Sequence, residues 1–220
     1  MSKVTTVDEV KKFFRDGMTI MIGGFGVTGQ PLALTEALLE SGVKDLITIS
    51  NDNARLDRGM GKLITEKRIK KTITSHIGGN KESQRLMLAG ELEVALVPQG
   101  TLAERVRAGG YGLGGFYTPT GVGTEVAVGK ETKVINGKEY LLELPLRAEL
   151  ALIRASIADE VGNLYYNYST RNHNPLMAMA ADIVIVAAEK IVPVGSINPS
   201  DVHTPHCVVD YIVQEIPRPF

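Results

Sequence analysis

Apolar positions along this chain recur now at helical spacing and now in short unbroken runs, and the switching between the two predicts strands alternating with helices. Val10, Phe13 and Phe14 share one face of an opening helix. Thr5 with Asp8, or Thr6 with Glu9, can cap its start, and Asp16-Gly17 ends it. Thr19 to Ile22 is a continuous apolar run, as in a strand buried on both faces. A glycine loop follows, then a helix opening at Pro31, a residue suited to the first helical position, and running through Leu34, Leu38 and Leu39 to Ser41-Gly42. The pattern returns with strands at 46–50 and 72–77, a helix capped by Asn80 that ends at Gly90, and a strand at 92–97. Thr101 to Glu104 then reads as a capping box opening a helix that Gly109 stops. Further strands are predicted at 149–154 and 182–187, with a helix near 175–181.

Strands alternating with helices imply an α/β fold, an open and mainly parallel sheet flanked by helices on both faces. Asn136-Gly137, between apolar runs at 132–135 and 138–142, is a hairpin signal and predicts an antiparallel excursion from that alternation. Nothing reads as a linker, repeat or low-complexity tail, so a single domain over residues 1–220 is expected.

Composition narrows the function. With 44 % hydrophobic and 22 % charged residues, the 220-residue chain can bury a sizeable core. A formal net charge of -1 argues against a nucleic-acid partner, which would be met by a basic face. Cys207 is the only cysteine, so an internal disulfide is impossible and a cysteine-based zinc site is not expected. The first fifteen residues carry charges throughout, and no apolar run reaches the roughly 18 residues of a membrane span. A cytoplasmic protein without membrane contact is the expectation. Glycine is in excess, 23 residues against a usual share of about 7 %, and eleven of them fall in the segments 23–29 and 109–123. Concentrated glycine marks backbone that turns tightly or approaches a ligand.

Gly24-Phe25-Gly26-Val27-Thr28-Gly29 has the spacing of a dinucleotide fingerprint, follows a strand, and is followed by Asp52 at the end of the next. Pro31 argues against that reading. In the fingerprint the helix starts near the second glycine, which would put Pro31 inside it without an N–H and against the previous turn. A glycine turn with no ligand is the plainer alternative.

A longer stretch points elsewhere: Asp16-Gly17, then Ile20-Met21-Ile22-Gly23-Gly24-Phe25, then Gly29-Gln30-Pro31. It resembles the α-subunit signature of family I (3-oxoacid) CoA-transferases. Ser50 to Asn53, Ser75 to Gly78, Pro98 to Glu104, Phe116 to Thr124, and the stretch from Ala155 through Ser169-Thr170-Arg171-Asn172 are similar to family segments in family order. The resemblance covers nearly the whole chain and is nearest to the acetate/acetoacetate type. It implies a chain with transferase activity in a hetero-oligomer, with coenzyme A as substrate and no permanently bound cofactor. It also implies a β-subunit partner whose glutamate, in a Ser-Glu-Asn-Gly-type motif, attacks the acyl-CoA thioester. That motif is absent here, and Glu160-Val161-Gly162 has only bare spacing in what reads as a surface turn. Succinyl-CoA or acetyl-CoA as donor and short acids such as acetate, butyrate or acetoacetate as acceptor suit the resemblance, with 3-oxoadipate and glutaconate also open. A related α/β domain that senses a small phosphorylated ligand without transferring anything is the rival reading.

The chain then offers amides and glycines. Gly24, Phe25, Gly26, Val27, Thr28, Gly29 and Gln30 are the expected CoA-binding loop. Asn51 and Gln99 each end a predicted strand, where the ligand crevice of an open parallel sheet lies. The resemblance places such an asparagine and glutamine beside the acyl group, with Gln99 the expected donor to the oxyanion. Each could instead merely cap a loop. Asp52 stands where the resemblance implies a second asparagine, putting a charge in place of a donor. His76, near another strand end, reads either as a general base or as a plainly hydrogen-bonded residue. No spacing among His173, His203 and His206 argues for a metal site. Glu36 and Glu82 read as solvated helix residues, and Met177 and Met179 as core.

Overall fold

A computed structural model describes residues 1–216. Its main sheet runs in the order β11-β10-β8-β1-β2-β3-β4: Tyr211–Gln214, Ala181–Val192, Ala148–Asp159, Thr19–Ile22, Leu46–Asp52, Ile69–His76 and Glu93–Leu96. All six pairings along this path are parallel, and the short β9 (Leu164–Tyr165) folds back antiparallel on β8. Strand order climbs outward on both sides of β1, so the winding reverses between β1 and β8, the kind of point at which open α/β sheets form a crevice beyond the strand carboxyl ends.

Both faces of the sheet are covered, and the sequence shows it residue by residue. Ile20 and Ile22 pack with Leu150, Leu152, Ile185 and Ala187 under α1 (Val7–Val10), α2 (Leu32–Glu40), α3 (Met60–Thr65) and α4 (Lys81–Leu88). The alternate residues Met21, Ala151, Ile153, Val184 and Val186 pack under α5 (Gln99–Gly110) and α6 (Asn174–Met179). An unbroken apolar run is what period-two geometry requires when neither face meets water. The excursion is a three-stranded antiparallel sheet, β5 (Phe116–Thr118), β7 (Lys138–Glu143) and β6 (Thr132–Ile135). Ile135 pairs with Lys138 across the Asn136-Gly137 turn, whose φ angles are +51° and +74°, the signs of a type I′ hairpin.

Several boundaries move. The Thr6–Glu9 capping box forms, but α1 tightens into a 3₁₀ turn at Lys11–Phe13. Pro31 precedes α2 rather than opening it, and the first-turn N–H groups of Leu32 and Ala33, which have no partner within the helix, are met by the Glu215 carboxylate at 2.9 and 2.8 Å. A cap 182 residues away in sequence leaves no local signal. Helix α5 starts at Gln99, two residues before the expected capping box, with Thr101 buried in its first turn. Gln99 therefore opens a helix rather than ending a strand.

Candidate active site

The loops after β1 and β2 and the start of α5 meet at the carboxyl edge of the sheet through a chain of hydrogen bonds. Gln99 Nε2 donates to Asn51 Oδ1 at 2.8 Å, Asn51 Nδ2 donates to Asp52 Oδ2 at 2.7 Å, and the Gly26 N–H donates to that same oxygen at 2.6 Å. Ser75, near the end of β3, donates to the Asn51 carbonyl at 2.7 Å and locks its backbone. The structure thus brings together Asn51, Gln99 and Gly26 of the glycine loop from 74 residues of sequence, 26 to 99, with β2 as the bridge. Each amide uses one N–H in this chain, and its second donates to no described residue; the Gln99 side chain is exposed, whereas Asn51 is 2 % exposed.

Asp52 is the residue whose purpose the sequence left open. Besides Gly26 and Asn51 it accepts from the Ala54 N–H at 2.8 Å. Three donors fill most of the acceptor sites of this carboxylate and tie it to the loop. Asn53 is buried and structural, joined to Ser83, Thr72 and Asn80. The exposed His76 side chain makes no hydrogen bond among the described residues, and Glu160 lies exposed in the turn that Asp159 braces.

Within the glycine loop, Phe25 and Thr28 exchange backbone hydrogen bonds of 2.9 Å across Gly26-Val27. Gly26 has φ +59°, and a positive φ at the first central position alone marks a type II′ turn. The tip carries Phe25, 52 % exposed, into solvent. Gln30, by contrast, is 3 % exposed, with Nε2 on the Gly26 carbonyl at 2.7 Å and Oε1 accepting from the Met60 N–H at 3.3 Å. It braces the loop from inside. Residues 25–28 present the loop surface, while Gly24 and Gly29, also expected to meet CoA, are buried at its base.

Residues 4–215 match the family described as Coenzyme A transferase. The chain belongs to that family. It is 55 % identical over 212 residues to the acetate CoA-transferase subunit alpha of Escherichia coli (strain K12), covering 96 % of each chain. It is 50 % identical to the acetoacetyl-CoA:acetate/butyrate CoA transferase alpha subunit of Clostridium acetobutylicum, covering 97 % of this chain and 98 % of that one. This transferase chain is accordingly of the α-subunit type. Among solved structures, an acyl-CoA transferase of E. coli O157:H7, in thioester complex with CoA, shares the fold with a TM-score of 0.86 at 22 % identity. The α chain spans 97 % of its own length but only 47 % of that protein.

A cleft of about 660 Å³ lies beside this crevice rather than in it, lined by Thr28, Ser156, the turn 167–170, and the carboxyl ends of β8, β10 and β11. Arg154, 2 % exposed, sits at its back with Glu189 at 2.7 Å and Glu215 at 3.9 Å. Two carboxylates around one guanidinium make a poor receptor for an acid or a phosphate, so size does not identify the acyl site here. Burial pushes Glu215 above the ordinary carboxylate range, and the Ala33 N–H and Arg154 hold it partly back.

His173 is buried at the start of α6 and its Nδ1 has no hydrogen-bond partner among the described residues. Burial pushes its pKa down, against a weaker opposing pull from Asp52. The neutral form is thus favoured in the fold, and the unfolded chain binds more protons as pH falls. Stability from this group is present above the ordinary value of 6.5 and is lost as pH drops through the lowered one. His173→Phe keeps the shape and removes the orphaned atom. It is expected to stabilise the chain by about 1–2 kcal/mol and to flatten the loss of stability between about pH 7 and 5. Denaturant titrations at both pH values check this, and a less stable variant with unchanged pH dependence refutes it.

Asp52, Ser75 and Asn172 lie in segments similar to the family's, with the part of Asp52 left open by the sequence, whereas Asn174 lies just beyond them and nothing local marks it.

Proposed function

We propose that this α chain supplies the acyl-positioning half of a transferase that moves CoA from an acyl-CoA to a short-chain carboxylic or 3-oxo acid. CoA is a substrate, and the nucleophilic glutamate comes from a β-subunit partner. The observation that carries this reading is the crevice itself: two amides with free N–H groups, and a single linked carboxylate, Asp52, that is already held by three donors. Such a site can stabilise negative charge but has no carboxylate free to attack.

In the reaction the partner's glutamate adds to the thioester carbonyl and the C–S bond breaks, leaving an acyl-glutamyl anhydride and CoA thiolate. The thiolate then attacks the glutamyl carbonyl, releases the donor acid as its carboxylate, and leaves a glutamyl-CoA thioester. The acceptor carboxylate repeats both steps in reverse. Every step passes through a tetrahedral oxyanion, and carboxylate is a weak nucleophile, so donors fixed in advance carry much of the rate. Gln99 and Asn51 are assigned that part, with the loop 24–29 beside CoA. The alpha subunits from E. coli and Clostridium acetobutylicum favour acetate, butyrate or acetoacetate as acids. No helix among the described residues is long and apolar enough to cross a membrane, which suits a cytoplasmic enzyme.

Purified alone, the chain is expected to transfer no CoA; co-purified with its partner it is expected to transfer between short acids. After incubation with acyl-CoA, intact-mass spectrometry is expected to find CoA added to the partner chain. An adduct on this chain, or robust transfer without the partner, defeats the assignment.

A further inference from the structure

We infer that Asn174 and Asn172 are positioning residues of the transferase: they set where the glycine loop stands without touching the ligand. The inference rests on the proposal that this loop borders CoA. Asn174 is fully buried. Its Oδ1 accepts from the Arg154 N–H of β8 at 3.0 Å, and its Nδ2 donates to the carbonyls of Gly29 at 3.0 Å and Thr170 at 2.9 Å. Asn172 Nδ2 donates to the Thr28 carbonyl at 3.1 Å and to Ser169 at 2.6 Å, while its Oδ1 accepts from the His173 N–H at 2.7 Å. Two asparagines therefore hold consecutive carbonyls of the loop, Thr28 and Gly29, while Asp52 holds the Gly26 N–H from the opposite flank. The type II′ turn that projects Phe25 is suspended between those two sets of hydrogen bonds.

The glycines fit this clamp. A Cβ at Gly23 would lie 1.9 Å from Asn174 Oδ1, and one at Gly29 3.0 Å from Asn174 Nδ2 and 3.1 Å from Asn172 Nδ2. Gly23 has no positive φ to require glycine, so the need for it is the space that Asn174 takes. Gly26 is the opposite case, with φ +59° and nothing within 4 Å of an added Cβ. Its role is the turn, and the flanking glycines are the seat of the clamp. The same asparagines tie the loop to the turn 168–171 that lines the neighbouring cleft, so crevice and cleft share one framework.

The test uses the assembled complex, steady-state kinetics, CoA calorimetry and thermal unfolding. Asn172→Ala is expected to raise KM for acyl-CoA about tenfold, the scale of one lost hydrogen bond, with KM for the acid and the unfolding midpoint little changed. Asn172→Asp keeps the acceptor for His173 and loses the donor to Thr28, so it is expected to match Asn172→Ala. Gly23→Ala is expected to cost about tenfold or more in kcat/KM in the native background and less than about threefold beside Asn174→Ala, because the clash is gone. An unchanged KM in both Asn172 variants, or additive Gly23 and Asn174 effects, overturns the inference. If Asn174→Ala does not fold, the Asn172 pair decides. Gly26→Val forces a branched side chain into positive φ and reports on the loop directly. If it weakens CoA binding while the asparagine variants do not, only the positioning role fails. If it leaves CoA affinity unchanged in a folded complex, the loop does not border CoA and the proposal beneath fails with it.

Discussion

Gln99→Ala, in complex with the partner chain, is expected to lower kcat by about 10²–10³ while KM for acyl-CoA changes little. The side chain has two tasks in the proposed reaction. Its free N–H is available to the oxyanion, and its other N–H, 2.8 Å from Asn51 Oδ1, fixes the rotation of the second amide. Alanine removes a donor and unpins a neighbour in one step, which places the loss toward the upper end of that range. The position favours such a role. Pro98 precedes it, Gly100 follows, and as the first residue of α5 it stands beyond the β4 carboxyl end with its side chain exposed. Asn51→Ala is the comparison: as members of one hydrogen-bonded unit, the pair is expected to give a double variant little worse than either single one. A raised KM with unchanged kcat would mean that Gln99 binds ground state and transition state alike. No kinetic change in an assembled complex would reduce it to a loop cap.

Arg154→Met is expected to destabilise the chain by about 3–5 kcal/mol, the usual cost of removing one member of a buried ionic cluster. Arg154 lies between Glu189 and the buried Glu215 and also donates to the Gln30 carbonyl at 3.2 Å. Methionine fills similar space but leaves Glu215 with backbone N–H groups alone, and the Gln30 carbonyl with no donor from that side. The sign of the pH effect follows. Glu215 already has a raised pKa, so protonation is favoured in the fold, and losing Arg154 raises it further. The deficit is therefore expected to be largest at neutral and higher pH and to shrink as pH falls into the carboxylate range. Arg154→Met with Glu215→Gln is expected to recover part of the loss. Chemical denaturation across pH measures all of this; an unchanged midpoint for Arg154→Met at pH 7 would contradict it.

Both predictions depend on contacts far apart in sequence, and that is where reading the chain alone stopped. Elements whose cause is local were legible. The run Thr19 to Ile22 matches β1 because two buried faces need apolar residues at every position. Asn80 caps α4 through Ser83, three residues on, and Asn136-Gly137 supplies both positive φ angles of its turn. Helix α3 carried no expectation from the sequence, its short apolar run being broken by Gly59 and Gly61. Gly61 is required there by packing, since a Cβ would lie 1.7 Å from the Arg55 carbonyl oxygen. Strands β8 and β10 each run 12 residues, beyond the expected ends at Arg154 and Ala187. They stabilise one another from Ala148–Ala181 to Asp159–Val192, a mutual pairing that neither segment signals alone.

The sequence by itself determined the α/β class, the antiparallel excursion, the family and the segments from which a site could be built. Those follow from periodicity, turn chemistry and ordered motifs, all carried within a few residues of one another. Only the tertiary structure decided what the segments do together. It made Asp52 an anchor, Gln30 an internal brace, Gly23 a space for Asn174, and Glu215 the cap of a helix that begins at residue 32. Each of these roles is a hydrogen bond or a steric fit between residues that parallel strand pairing brings to one edge. A side chain's partners there are set by the order of strands in the sheet, and that order is not written in the spacing of residues along the chain.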